Sequence, residues 1–130
     1  MDAPVERPYE RHLFVCVYGP WCRRGGDVTR IRALLKDGVK DAGLRDVVRV
    51  NQSGCLNQCG HGPMIACYPE GVWYSGVDEA GARRILEEHV VGGRVVEDYR
   101  YAPERPGNNK LPWIQEQEKR EKAERKAQAG

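Results

Sequence analysis

Hydrophobic residues recur along this chain with two different periods. His12-Leu13-Phe14-Val15-Cys16-Val17 is a short apolar run rich in β-formers, the mark of a buried strand. Tyr18 to Gly26 interrupts it with Pro20 and three glycines and reads as a loop. Asp27 then stands where a helix cap belongs. Val28, Ile31, Leu34, Leu35 and Val39 follow at helical spacing, until Gly38 or Gly43 ends the helix. Val47, Val48 and Val50 mark a second strand, and Asn51 to Pro63 is a long loop holding Gly54, Gly60 and Gly62. Met64 to Tyr68 and Val72 to Tyr74 read as strands joined by a Pro69-Glu70-Gly71 turn. Asp78 caps a second helix that sets Ala82, Ile85, Leu86 and Val90 on one face and stops at Gly92-Gly93.

The order strand, helix, strand, hairpin, helix constrains the topology. A crossover through a helix makes the first two strands parallel neighbours, and the hairpin adds an antiparallel pair. The expected fold is an α/β sandwich of thioredoxin-like type, a mixed sheet with two covering helices. Residues 1–11, with Pro4 and Pro8 among charges, read as a disordered lead, and the domain spans 12–101. Val95-Val96 is a candidate edge strand. Residues 102–130 form a linker with three prolines up to Pro112, then a charged helix from Trp113 to Ala127. That helix is laced by the i,i+4 pairs Glu116–Arg120, Glu118–Lys122 and Glu121–Arg125. Its only apolar anchors are Trp113 and Ile114, so the tail is expected to stand in solvent.

Composition narrows the function classes. The chain has 130 residues and a formal charge of +2, too balanced for a nucleic-acid patch. No run approaches the ~18 apolar residues of a membrane span. Met1 to His12 carries charges and no apolar core, which argues against a secretory signal. With no export signal, the five cysteines belong to a reducing, cytoplasmic setting and not to a disulfide framework.

Four of those cysteines form two close pairs. Five residues separate Cys16 from Cys22, three separate Cys55 from Cys59, and 32 lie between the pairs. Two loops with two thiols each, brought together by the fold, present four sulfurs around one point. Soft anionic thiolates suit iron–sulfur clusters and zinc alike. Zinc knuckles favour two to four residues between paired cysteines, which the first pair exceeds, and a Cys-x-x-Cys redox motif is missing. Spacing favours iron–sulfur; structural zinc and thiol redox chemistry stay open. Glycines beside the thiols (Gly25-Gly26, Gly54, Gly60) let backbone N–H groups approach sulfur.

Longer motifs add a resemblance. Val48-Arg49-Val50-Asn51, Ser53-Gly54-Cys55-Leu56-Asn57-Gln58-Cys59, Gly62-Pro63 and Tyr68-Pro69-Glu70-Gly71-Val72-Trp73-Tyr74 resemble the thioredoxin-like [2Fe-2S] ferredoxins. Phe14-Val15-Cys16-Val17 and Glu87-Glu88-His89-Val90-Val91-Gly92-Gly93 match as well, so the resemblance covers roughly 12–96. It implies a [2Fe-2S] cluster on Cys16, Cys22, Cys55 and Cys59, one-electron transfer between protein redox partners, and a homodimer. An electron carrier of this kind is not an enzyme. The short first spacing is closer to the related cluster domain in the NADH-oxidising arm of respiratory complex I. A module of a larger oxidoreductase is therefore one alternative; a zinc or iron–sulfur binding protein without electron transfer is another.

Other residues have plainer readings. Cys67 lies in an apolar strand, where a thiol behaves as a small hydrophobe. His61 follows Cys59 closely but competes with four cysteines as a ligand. Trp73 suits core or dimer packing. Trp21, with Arg23 and Arg24, belongs to the first cysteine loop as an exposed neighbour of the site.

Overall fold

Strand β1 (Arg11–Cys16) lies inside a four-stranded sheet of order β2-β1-β3-β4. The computed structural model describes residues 8–16, 27–54, 56, 58 and 62–129. β2 (Val48–Ser53) runs parallel to β1, with Arg11 opposite Val48 and Cys16 opposite Ser53. β3 (Ile65–Tyr68) pairs antiparallel on the other side of β1, and β4 (Val72–Tyr74) closes the hairpin. The mixed sheet is the one expected from the element order.

Helix α1 (Val28–Asp41) makes the crossover between β1 and β2. Asp27 caps it, its carboxylate accepting from the Arg30 N–H at 3.1 Å. Val28, Ile31, Leu35 and Val39 are buried, as the periodicity requires. Gly38 does not end the helix: it lies within it, where a Cβ would collide with Cδ2 of Leu86 on the second helix. The missing side chain lets the two helices approach. Gly43, at φ +76°, follows the helix end in the left-handed conformation that terminates helices.

Helix α2 (Glu79–Arg84) starts at Asp78, whose Oδ1 accepts from the Gly81 N–H at 2.7 Å. It continues into a π-helical segment, Ile85–Val91. The wider turn buries Ile85, His89 and Val90 together, while Leu86 is only partly buried against the core. Both helices cover one sheet face, where Leu13, Val15, Ile65 and Tyr74 are fully buried against Ile31, Leu35, Ala82 and Ile85. Each such large side chain contributes about 1.5–3 kcal/mol by burial.

Side chains alternate along β1, so His12, Phe14 and Cys16 face away from the helices. On that face Cys16 and Met64 form a second, smaller apolar cluster with Leu56, Trp73 and Tyr101. The edge strand expected at Val95-Val96 is absent from the described residues. β4 is instead extended by one antiparallel bridge between Tyr74 and Arg100, with Tyr101 N–H donating to the Trp73 carbonyl at 2.7 Å. Val96 is buried and serves the core through its N–H. Helix α3 (Pro112–Ala129) is mostly exposed, but Ile114 is fully buried, and Glu118 accepts from Lys110 Nζ at 2.7 Å.

Candidate metal centre

Parallel pairing decides where the two cysteine stretches go. β1 ends at Cys16 and β2 at Ser53, residues that face each other in register. Both strands therefore finish at the same end of the sheet, and in the sequence Cys22 follows the first while Cys55 and Cys59 follow the second. Cys22, Cys55 and Cys59 lie outside the described residues, as do Trp21, Arg23, Arg24 and His61. Cys16 is buried, its backbone N–H bonded to the Met64 carbonyl at 3.1 Å. Leu56, the residue after Cys55, packs in the same apolar cluster. The end of β1 and the residue after Cys55 thus meet.

Gln58, between Cys55 and Cys59 in sequence, is buried at 8% exposure. Its Oε1 accepts from the Tyr101 hydroxyl at 2.7 Å, and its Nε2 donates to the Gly107 carbonyl at 2.8 Å. Burial is the main influence on Tyr101, raising its phenol pKa above the ordinary value. Beside these residues opens a cleft of ≈ 590 Å³, lined by Leu56, Gln58, Trp73, Arg100, Tyr101 and Arg105 among others. Apolar rings and two guanidinium groups share its wall.

No family model matches the chain. Individual relatives do. Over 96 residues it is 32% identical to a 2Fe-2S ferredoxin of Clostridium pasteurianum, covering 67% of this chain and 91% of that protein. A 2Fe-2S ferredoxin of Aquifex aeolicus is also 32% identical over 94 residues, with 67% and 85% covered. The chain belongs to the thioredoxin-like [2Fe-2S] ferredoxin family. The crystal structure of a wild-type thioredoxin-like [2Fe-2S] ferredoxin from Aquifex aeolicus superposes with a TM-score of 0.65 at 29% identity. That match covers 72% of this chain and 98% of the other.

This family member also carries a buried polar cluster that the sequence reading did not assemble. Cys67 is buried as expected, yet it is more than a small hydrophobe. Its Sγ lies 3.4 Å from Glu70 Oε2 and 3.7 Å from His89 Nε2. His89 Nε2 is 3.1 Å from the same carboxylate oxygen, and its Nδ1 is 2.6 Å from the Tyr74 hydroxyl. Val96 N–H donates to that hydroxyl at 3.2 Å. The protons then follow in one direction. Tyr74 accepts from Val96 and donates to Nδ1, so the neutral imidazole carries its proton on Nε2 and donates to Glu70.

The Cys67 thiol can donate to the same carboxylate. Burial first, then the Glu70 charge, pushes its pKa well up and keeps it protonated. Burial is also the main cause lowering His89, against the opposing pull of Glu70. Cys67, Glu70 and His89 are close enough to surround an ion. Every proton is matched without one, however, and a protonated thiol is a poor ligand. One sequence signal pointed here: His89 stands four residues after Ile85, on the helix's core face.

Proposed function

We propose that Cys16, Cys22, Cys55 and Cys59 hold a [2Fe-2S] cluster and that the chain passes single electrons between protein partners. One observation carries this reading: Cys16 and Leu56 share an apolar cluster at the end of a parallel strand pair. The donor chemistry fits, because Cys16 places a cysteine sulfur, a soft donor suited to iron, in a buried apolar setting. Bound there, the cluster supplies reversible one-electron chemistry. The chain's own residues do the rest. Met64, Leu56, Trp73 and Tyr101 exclude water around Cys16. Arg100 and Arg105 line the neighbouring cleft and favour an acidic partner surface.

The same reading makes the protein a carrier and not an enzyme, working in the reducing cytoplasm. No helix among the described residues is long and apolar enough to cross a membrane. It also pairs as a homodimer through the sheet face away from the helices. There His12 stacks on Phe14 at 4.2 Å between ring centres, Phe14 meets Tyr68 edge-on at 6.3 Å, and Tyr68 is 41% exposed.

Protein purified without air should be reddish-brown, with iron and acid-labile sulfide at about two of each per chain. Dithionite should produce a one-electron paramagnetic signal. A colourless protein with stoichiometric zinc would overturn the cluster assignment. Light scattering that returns only the monomer mass at high concentration would overturn the dimer.

A further inference from the structure

Gln58 stands in a glycine-flanked stretch of the sequence. Gly54, Gly60 and Gly62 flank the Cys55-Leu56-Asn57-Gln58-Cys59 stretch, and glycine is the residue with most conformational freedom to lose. The Gln58 amide supplies the missing restraint. Both of its ends are bonded to one distant segment, to Tyr101 at 2.7 Å and to Gly107 at 2.8 Å. The amide has one workable orientation, because the Gly107 carbonyl only accepts and must meet the NH₂.

The receiving segment is itself built. Asn109, at 7% exposure, donates to the Arg105 carbonyl at 2.8 Å and to the Gly107 carbonyl at 3.0 Å. Its Oδ1 accepts from the Arg105 N–H at 3.3 Å. Gly107 stands at φ +91°, a conformation that side chains disfavour. Its carbonyl thereby receives both Asn109 and Gln58. At the other end, Tyr101 is bonded to β4 through Trp73 and packs on the Cys16–Met64 cluster. One side chain therefore touches both cysteine stretches, its ring at Cys16's cluster and its hydroxyl at Gln58.

We infer that residues 101–109 are a strap that locks the second cysteine loop, with Gln58 as the positioning residue through which it acts. The inference rests on the cluster assignment above. It moves the functional end of the domain from 101 to 109, so the first part of the expected solvated linker belongs to the site. A strap of this kind resists loss of the metal centre and keeps water from it, and water around a cluster changes its potential.

The test uses the full chain purified without air. Gln58→Met keeps the length and loses both bonds to the strap, together with the longer bond from Nε2 to the Leu56 carbonyl at 3.4 Å; Tyr101→Phe keeps the ring and loses the hydroxyl's bond to Gln58. Two quantities are read: the rate at which the visible spectrum bleaches in excess chelator, and the midpoint potential. Bleaching should be at least about fivefold faster for Gln58→Met and about twofold faster for Tyr101→Phe, in line with lost buried hydrogen bonds. The midpoint should move to more positive values as water enters. The double variant should behave like Gln58→Met alone, since the two residues share one bond.

A folded Gln58→Met protein that never loads the cluster also supports the strap, and Tyr101→Phe then supplies the rates. Unchanged bleaching and midpoint in both single variants would overturn it. A wild-type protein without iron would instead overturn the cluster assignment, before any variant is compared.

Discussion

Cys16 lies directly opposite Ser53 across the parallel pair β1 and β2. Parallel strands point their ends the same way, so β1 and β2 finish side by side, each followed in sequence by a cysteine-bearing segment. In an antiparallel pair they would leave at opposite ends, about a strand length apart. A six-residue strand measures roughly 20 Å, far beyond the reach of shared coordination. On the proposed ligand assignment, the α1 crossover that enforces parallel pairing is part of the metal site's construction.

Single cysteine substitutions should sort the five thiols. Cys16→Ala, Cys55→Ala and Cys59→Ala are expected to lose iron and visible absorbance. Cys22→Ala should lose them less completely, because its glycine-rich stretch can offer another donor. Cys67→Ala should keep both and cost about 1 kcal/mol of stability for the lost volume. Iron content and spectra of each variant, prepared without air, make the check. A normal Cys22→Ala beside a bleached Cys67→Ala would reassign the ligands.

Tyr74 joins the core to the His89 network, and its hydroxyl serves Val96 N–H and His89 Nδ1 together. Tyr74→Phe removes that hydroxyl and strands two buried polar groups. The expected loss is about 2–4 kcal/mol, measured by urea unfolding. A loss below about 0.5 kcal/mol would mean that water replaces the hydroxyl.

Acid should weaken the fold through His89. Burial holds its pKa below the ordinary 6.5, so the folded chain stays neutral there while the unfolded chain takes up a proton. Its contribution is fully present above pH 6.5 and is lost as pH falls from that value toward the lowered folded pKa. The slope cannot exceed about 1.4 kcal/mol per pH unit for one proton. Unfolding curves between pH 8 and pH 5 should show this component in the wild type and lack it in His89→Gln, whatever that variant's overall stability.

Gly92 closes the π-helical segment against its own backbone. A Cβ there would stand 2.7 Å from the Glu88 carbonyl oxygen, which cannot rotate away as a side chain can. Gly92→Ala should cost about 1–3 kcal/mol. Thermal unfolding would register this as a lowered midpoint, and an unchanged midpoint would show that the helix end relaxes freely.

Much of this architecture is local and so was legible before any coordinates. Asp27 and Asp78 announce their helices because a cap is decided within four residues. The stripe Val28, Ile31, Leu35 and Val39 announces a buried face because a helix repeats every 3.6 residues. Strand, crossover helix and strand imply parallel pairing by handedness and connection length alone, and the two cysteine pairs narrow their chemistry to that of soft thiolate donors.

Tertiary structure decided the rest, for the same physical reason each time. Gln58 meets Gly107 across 49 residues, and Cys67 meets His89 across 22. Gly38 reads as a helix stop until Leu86 is seen occupying the space its Cβ would need. The stretch after Tyr101 looks like solvated linker because its prolines and charges form no periodic face. Its role is carried by one phenol, one carbonyl and one asparagine. Periodicity reports which face a side chain takes, over a turn or two of chain. Hydrogen bonds between distant segments leave no periodic trace, since any polar residue that arrives in the right place can make them, and only the fold determines which ones arrive.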